Sequence, residues 1–229
     1  MITSLGFKCL ACEWCIYCRQ TPTGVTLFAI HVDDIIMVSS SAAENSLFKS
    51  ELHWHWEISN LEEVKYALGI AIACNCSTCT ITLSQTSLID QIVEQFGQLN
   101  AHPVTTPMVP GVQITCPDKT LPISEHVNLW ILWTPYWSLV GTLNYLMVAS
   151  HSDIAFAVRH LVSVLDCYWP KHWEAAICVI CYLKDTRLFN LTLGRSNTIH
   201  PISFSDSDWM NCPTTSRSVG ATVFHSDLV

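Results

Sequence analysis

Two strongly apolar runs, Thr26-Leu-Phe-Ala-Ile-His-Val32 and Ile35-Ile-Met-Val-Ser39, are separated by nothing but Asp33-Asp34. Both are rich in the β-branched and aromatic residues that favour extended chain. A gap this short suits a tight antiparallel hairpin. Along a regular strand, neighbouring side chains point to opposite faces. At a hairpin turn that alternation breaks, and two adjacent carboxylates can approach the same cations. Mg²⁺ prefers oxygen ligands and often keeps only one or two protein carboxylates. Paired Mg²⁺ ions about 3.5–4 Å apart serve in-line phosphoryl displacement. Asp-Asp also commonly occupies a plain solvated turn, so the pair alone fixes the bend and not the chemistry.

The surrounding pattern reads as α+β. Cys15-Ile-Tyr17 is a further β-rich run, turned into the hairpin by Thr21-Pro-Thr-Gly24. Ser39-Ser-Ser-Ala-Ala-Glu44 offers caps for a helix over 42–55 that buries Leu47, Leu52 and Trp56. Val64–Cys74 and Thr78–Leu83 predict a second strand pair around a polar, cysteine-containing turn. Ser84 or Thr86 then caps a helix carrying Leu88, Ile89, Ile92, Val93 and Phe96, ended by Gly97. Residues 101–123 hold five of the ten prolines and read as an extended linker. Helical periods follow at about 136–149, 152–166 and 170–185, the last with Trp173, Ala176, Ile177, Ile180, Cys181 and Leu183 in one stripe. Short strands near 188–193, 200–205 and 219–225 close the chain.

Charge argues against a protein that holds nucleic acid by brute electrostatics. The formal net charge is −8, spread evenly, with no basic arm to displace counterions from phosphates. The apolar runs fall far short of the roughly 20 residues needed to cross a bilayer, and no secretory signal opens the sequence. The twelve cysteines therefore read as reduced thiols in an intracellular compartment, cytoplasmic or nuclear.

The hairpin gains chemical meaning from its context. Gly6-Phe7, Cys15-Ile-Tyr17 and His31-Val-Asp-Asp34 are followed in order by Leu61 and Lys65-Tyr-Ala-Leu-Gly-Ile70. Then come Leu83-Ser-Gln85, Ile89, Phe96-Gly97 and Val104-Thr-Thr-Pro-Met108. Tyr136, Leu139-Val-Gly-Thr-Leu143, Tyr145-Leu146, Asp153-Ile-Ala-Phe-Ala-Val158, His172-Trp173 and Tyr182-Leu-Lys-Asp-Thr186 continue the series, which ends on Phe204-Ser-Asp-Ser-Asp-Trp209 and Arg217-Ser218. This collinear set resembles the reverse transcriptase of Ty1/copia-type LTR retrotransposons.

The resemblance implies an RNA-directed DNA polymerase with a fused ribonuclease H, acting on an RNA or DNA template-primer with Mg²⁺ or Mn²⁺. It implies a partial palm over 1–100, an antiparallel hairpin with helices in which Asp33 and Asp34 are catalytic metal ligands. A Pro-rich linker over 101–135, a helical connection region over 136–195 and the start of a ribonuclease H-like domain over 196–229 would follow. In that last segment Asp206 would be the first metal-binding carboxylate, with Asp208 two residues on. Set against the family, the chain is expected to lack an upstream palm aspartate and the later ribonuclease H acids, and so to be inactive in isolation. His31 stands where the family has Tyr, Ser150-His-Ser152 where it has Thr-Arg-Pro, and Asp185 where it has Gly.

Two other readings compete. One is a non-catalytic interaction or nucleic-acid-associated module, self-associating through an exposed palm edge. The other is a cysteine-rich metal protein built on Cys9, Cys12, Cys15 and Cys18, with Cys74, Cys76 and Cys79 as possible additions. The His53-Trp-His-Trp56 run reads as a helix end packing its tryptophans inward.

Overall fold

The computed structural model describes residues 2–109, 111–112, 114–116, 125–194, 201–207, 209 and 218–226. They are mixed α and β, with every strand pair antiparallel. The chain divides into two compact units, Met1–Val64 and Lys65–Val229.

The first unit is a four-stranded meander, β1 (Lys8–Cys9), β2 (Ile16–Thr21), β3 (Gly24–His31) and β4 (Asp34–Ser39), followed by α1 (Ala42–His55). Tyr17, Phe28 and Met37 share one face of the sheet, and α1 lays Phe48 and Leu52 against it. Phe28 meets Phe7 edge-on at 4.8 Å between ring centres and Phe48 at 4.9 Å. Burying each such ring contributes roughly 1.5–3 kcal/mol. The buried stripe of α1 is Glu44, Phe48 and Leu52. Leu47 and Trp56, expected inside, are exposed; the larger Phe48 claims the dry face, and Glu44 joins it because Arg19 waits there. Trp54 is 86% exposed, so the tryptophans of the His-Trp-His-Trp run do not both pack inward.

Arg19, on β2, is the one cation in this core. Its Nη1 donates to Glu51 Oε2 at 2.7 Å and to the Leu5 carbonyl at 3.2 Å, and its guanidinium lies 4.6 Å from the centre of the Phe7 ring. Hydroxyl donors from Thr23 and Thr21, aided by Arg19, hold the Glu44 carboxyl below its ordinary pKa. A paired charge can enter a core; an unpaired one cannot.

The second unit opens on β5 (Tyr66–Ala67), β6 (Ile70–Asn75) and β7 (Thr80–Ser84). The expected single strand over 64–74 is two, because Leu68 (φ +51°) and Gly69 (φ +75°) form a tight turn between Ala67 and Ile70. Two positive φ angles in a two-residue turn are what the twist of a hairpin demands. Helix α2 (Thr86–Gln95) follows, with Gln85 and not Ser84 or Thr86 at its N-cap. It ends at Gly97 (φ +68°) as expected, where the Gln98 N–H reaches back to the Val93 carbonyl at 2.8 Å.

Helices α3 (Glu125–Trp133), α4 (Tyr136–Ala149), α5 (Ala155–Val162) and α6 (Pro170–Asp185) build the main core with α2. The proline-rich span did not foretell α3. Ile89, Ile92, Leu139, Leu143, Leu161, Ile180 and Leu183 are all at most 2% exposed. Val104, Met108, Ile114 and Cys116, from the proline-rich segment, pack on this core. Cys116 is bonded to Cys167, so two of the cysteines read as reduced are paired. Strand β8 (Leu191–Gly194) returns to pair with β7, and β9 (Pro201–Ser207) with β10 (Gly220–Ser226) makes a separate hairpin. No helix among the described residues is long and apolar enough to cross a membrane.

Replacing both Cys116 and Cys167 by Ser removes a cross-link between residues 51 apart and is expected to cost the second unit about 2–4 kcal/mol in urea unfolding. His172, wholly buried, accepts at Nδ1 from the Trp169 N–H (3.0 Å); burial, with the Lys171 charge, lowers its pKa to about 4. A base whose folded pKa is depressed adds stability above its unfolded pKa of about 6.5 and loses it as pH falls through the folded value. Unfolding free energy is therefore expected to decline from about pH 6.5 toward pH 4, and to decline less in His172→Gln, measured by chemical denaturation across that range.

Candidate catalytic hairpin

Strands β3 and β4 pair over six positions, from Thr26↔Ser39 to His31↔Asp34. The two-residue turn is Val32-Asp33, one position earlier than the sequence suggested, and Asp34 is the first residue of β4. The cause lies in the ladder: Ile30 pairs with Ile35 and Phe28 with Met37, which leaves His31 opposite Asp34. Val32 takes φ +58° and is 88% exposed. A β-branched residue rarely adopts that conformation, and such strain persists only where its surroundings over-determine it. The six-pair ladder on either side does so here.

Both carboxylates are exposed at this bend. Register places Asp34 on the same sheet face as the Ala29/Ile36 and Leu27/Val38 pairs, opposite the face that buries Phe28. Leu27 is 39% and Val38 64% exposed, so that face is open to solvent and largely apolar. Asp33 lies in the turn itself, outside the alternation. Among the described residues neither carboxylate has a hydrogen-bond or ion-pair partner, and no three His, Cys, Asp or Glu side chains gather as a metal site. The arrangement offers two unengaged oxygen donors, with the remaining positions on any bound cation left to water or substrate.

Asp206 sits in the second unit on β9, opposite Ala221, and is exposed. Its Oδ1 accepts from the Ser207 N–H at 2.8 Å. Asp208 and Arg217 lie outside the described residues. The cysteine ladder is spread over β1, the following loop and β2; Cys9 Sγ turns to the backbone carbonyl of Trp14 at 3.4 Å.

Sequence reasoning missed two polar networks. Arg19 with Glu44 and Glu51 joins α1 to the sheet; the signal was that Arg19 alternates in phase with Tyr17. In the second unit, buried His151 faces Asp153 at 3.5 Å, and Asp153 accepts from the Tyr182 hydroxyl at 2.7 Å. Burial opposes ionisation of Asp153, yet the bonds from His151 and Tyr182 keep its carboxyl below the ordinary value. Burial first, then that carboxylate, push the Tyr182 phenol up to about 12.

Comparison with known proteins matches residues 1–110 to a family described as reverse transcriptase (RNA-dependent DNA polymerase). The chain is 28% identical over 198 residues to the retrovirus-related Pol polyprotein from transposon TNT 1-94 of Nicotiana tabacum, covering 85% of this chain and 14% of that protein. It is 26% identical over 208 residues to the Pol polyprotein from transposon RE1 of Arabidopsis thaliana, covering 91% and 13%. An uncharacterized mitochondrial protein of Arabidopsis thaliana is 27% identical over 189 residues, covering 82% and 74%. The chain thus spans about one seventh of the length of the two polyproteins. No solved structure matches.

Because Asp33 and Asp34 are exposed and unpartnered, neither holds the fold together. Asp33→Asn and Asp34→Asn are each expected to leave the thermal midpoint unchanged, the free-energy change staying within about 0.5 kcal/mol, as read by circular dichroism.

Proposed function

Because the chain belongs to the reverse transcriptase family of Ty1/copia-type retrotransposons and corresponds to a segment of their Pol polyproteins, we propose that the β3–β4 turn is the metal-holding bend of an RNA-directed DNA polymerase. The observation that carries this is the pair of unengaged carboxylates, Asp33 and Asp34, at a strained turn within the matched region. The donor set suits Mg²⁺ or Mn²⁺: two carboxylates, oxygen only, with room for water. A bound divalent ion would supply charge stabilisation for phosphoryl transfer and lower the pKa of an attacking oxygen.

The chain's own residues supply the placement. The ladder fixes where the bend stands, and the exposed turn lets a primer end and a nucleotide triphosphate approach without displacing a protein partner. His31, paired with Asp34, occupies the flank of the site where the family places Tyr. On the same reading residues 1–100 belong to a palm, 136–195 to a connection region, and 196–229 to the opening of a ribonuclease H-like domain with Asp206 as its first metal ligand. The template-primer partner is RNA or DNA.

Phosphoryl transfer rests almost wholly on positioning and charge stabilisation, and two carboxylates are only part of such a site. The isolated chain is therefore expected to bind Mn²⁺ weakly without extending a primer. In nuclear magnetic resonance, Mn²⁺ should broaden the amides of residues 31–36 first, and Asp33→Asn with Asp34→Asn should abolish that preference. Exchanged for the matching segment of an active relative, residues 1–110 should support primer extension that Asp33→Asn eliminates. Extension that survives this substitution would refute the assignment.

A further inference from the structure

Cysteines of the second unit lie in two contrasting environments. Cys178 and Cys181, on α6, are shielded, and burial raises the pKa of both thiols, which keeps them protonated and unreactive. Cys76 and Cys79, on the β6–β7 reversal, are exposed.

The reversal has a defined shape. Asn75 pairs with Thr80, so residues 76–79 are its four members. The ends of a four-residue turn lie within about 7 Å of each other, and a disulfide spans Cα separations of about 4.4–6.8 Å. Asn75 Oδ1 accepts from the N–H groups of Ser77 (3.1 Å) and Thr78 (3.3 Å) and from the Ser77 hydroxyl (2.6 Å), which locks the bend. Cys79 adopts φ +53°, and its Sγ lies 3.6 Å from the Cys76 carbonyl oxygen, so that thiol folds back across the reversal toward its partner residue. Cys74, the third thiol nearby, is paired opposite Ile81 inside the ladder.

We propose that Cys76 and Cys79 form a dithiol modification site, which hydrogen peroxide converts into a disulfide across the turn. One thiol attacks the peroxide O–O bond, becoming a sulfenic acid and releasing water. The other attacks the sulfenic sulfur, forming the S–S bond and releasing a second water. Two thiols are oxidised by two electrons in all, and one peroxide is reduced. The same spacing accepts a trivalent arsenical, whose oxygen leaves as water when two As–S bonds form, with no change in oxidation state.

The test uses the full chain with one equivalent of hydrogen peroxide, followed by proteolysis and mass spectrometry without reductant. The peptide spanning 76–79 should lose two hydrogens, Cys76→Ser and Cys79→Ser should each prevent this, and Cys178 and Cys181 should remain reduced. Phenylarsine oxide should protect the pair. Asn75→Ala keeps both thiols but frees the bend, and should slow closure several-fold. Linkage of either cysteine to Cys74 or to another molecule, over-oxidation without linkage, or an unchanged rate in Asn75→Ala would overturn the proposal.

Discussion

The register between β3 and β4 is the constraint on which the first unit depends. Side chains alternate along a strand, so a slip of one residue would turn Phe28 out to water and bring Leu27 inward. Phe28 is 2% exposed and touches the rings of both Phe7 and Phe48, so such a slip would cost the unit its core. Once Phe28 is fixed opposite Met37, His31 must face Asp34, and Val32-Asp33 must make the bend. Packing fixes register, register fixes the turn, and the turn presents the carboxylates. Arg19 reinforces the same chain of causes from below, since its bonds to Glu51 and the Leu5 carbonyl tie α1 and the N-terminal segment to β2.

Electrostatics sharpens what the hairpin must do. At net −8 the chain is poor in cations, and several of those it has are engaged. Arg19 is buried with Glu44 and Glu51, Arg187 pairs with Asp90, and Lys184 donates to the carbonyls of Leu99 and Ala101. Phosphates are held chiefly by Lys and Arg displacing counterions. On the proposed reading, a divalent metal at Asp33 and Asp34 would turn a bend that repels phosphate into one that attracts it.

Much of this was legible from residues alone. The hairpin, the helix over 42–55, the stop at Gly97 and the helices beginning at 136 and 170 rest on local rules: strand-forming runs, caps, a left-handed glycine, a 3.6 period. The bend was legible because a two-residue gap between apolar strands suits a tight hairpin, but the ladder moves the turn one position earlier, to Val32-Asp33, and a metal-binding role for Asp33 and Asp34 came only with the resemblance. What escaped has non-local causes. Leu47 and Phe48 both suit the dry face of α1 by pattern, and only the position of the sheet decides between them. Arg19 and Glu44 go inside only because each supplies the other's reason for burial. Helix α3 was hidden by the prolines before it.

The deepest gap is the pairing of β8 with β7. Thr82 and Thr192 place their hydroxyl oxygens 3.5 Å apart across a sequence separation of 110 residues. No local signal in Leu191–Gly194 names its partner; the helices between must first fold and bring it back. Long-range pairing of this kind pays loop-closure entropy before it gains contacts, which slows folding. The first unit, by contrast, pairs each strand with its neighbour in sequence. The part of the chain that carries the twin carboxylates is thus the part whose structure is specified most locally, which is why its bend, though not its chemistry, could be read from a ten-residue stretch.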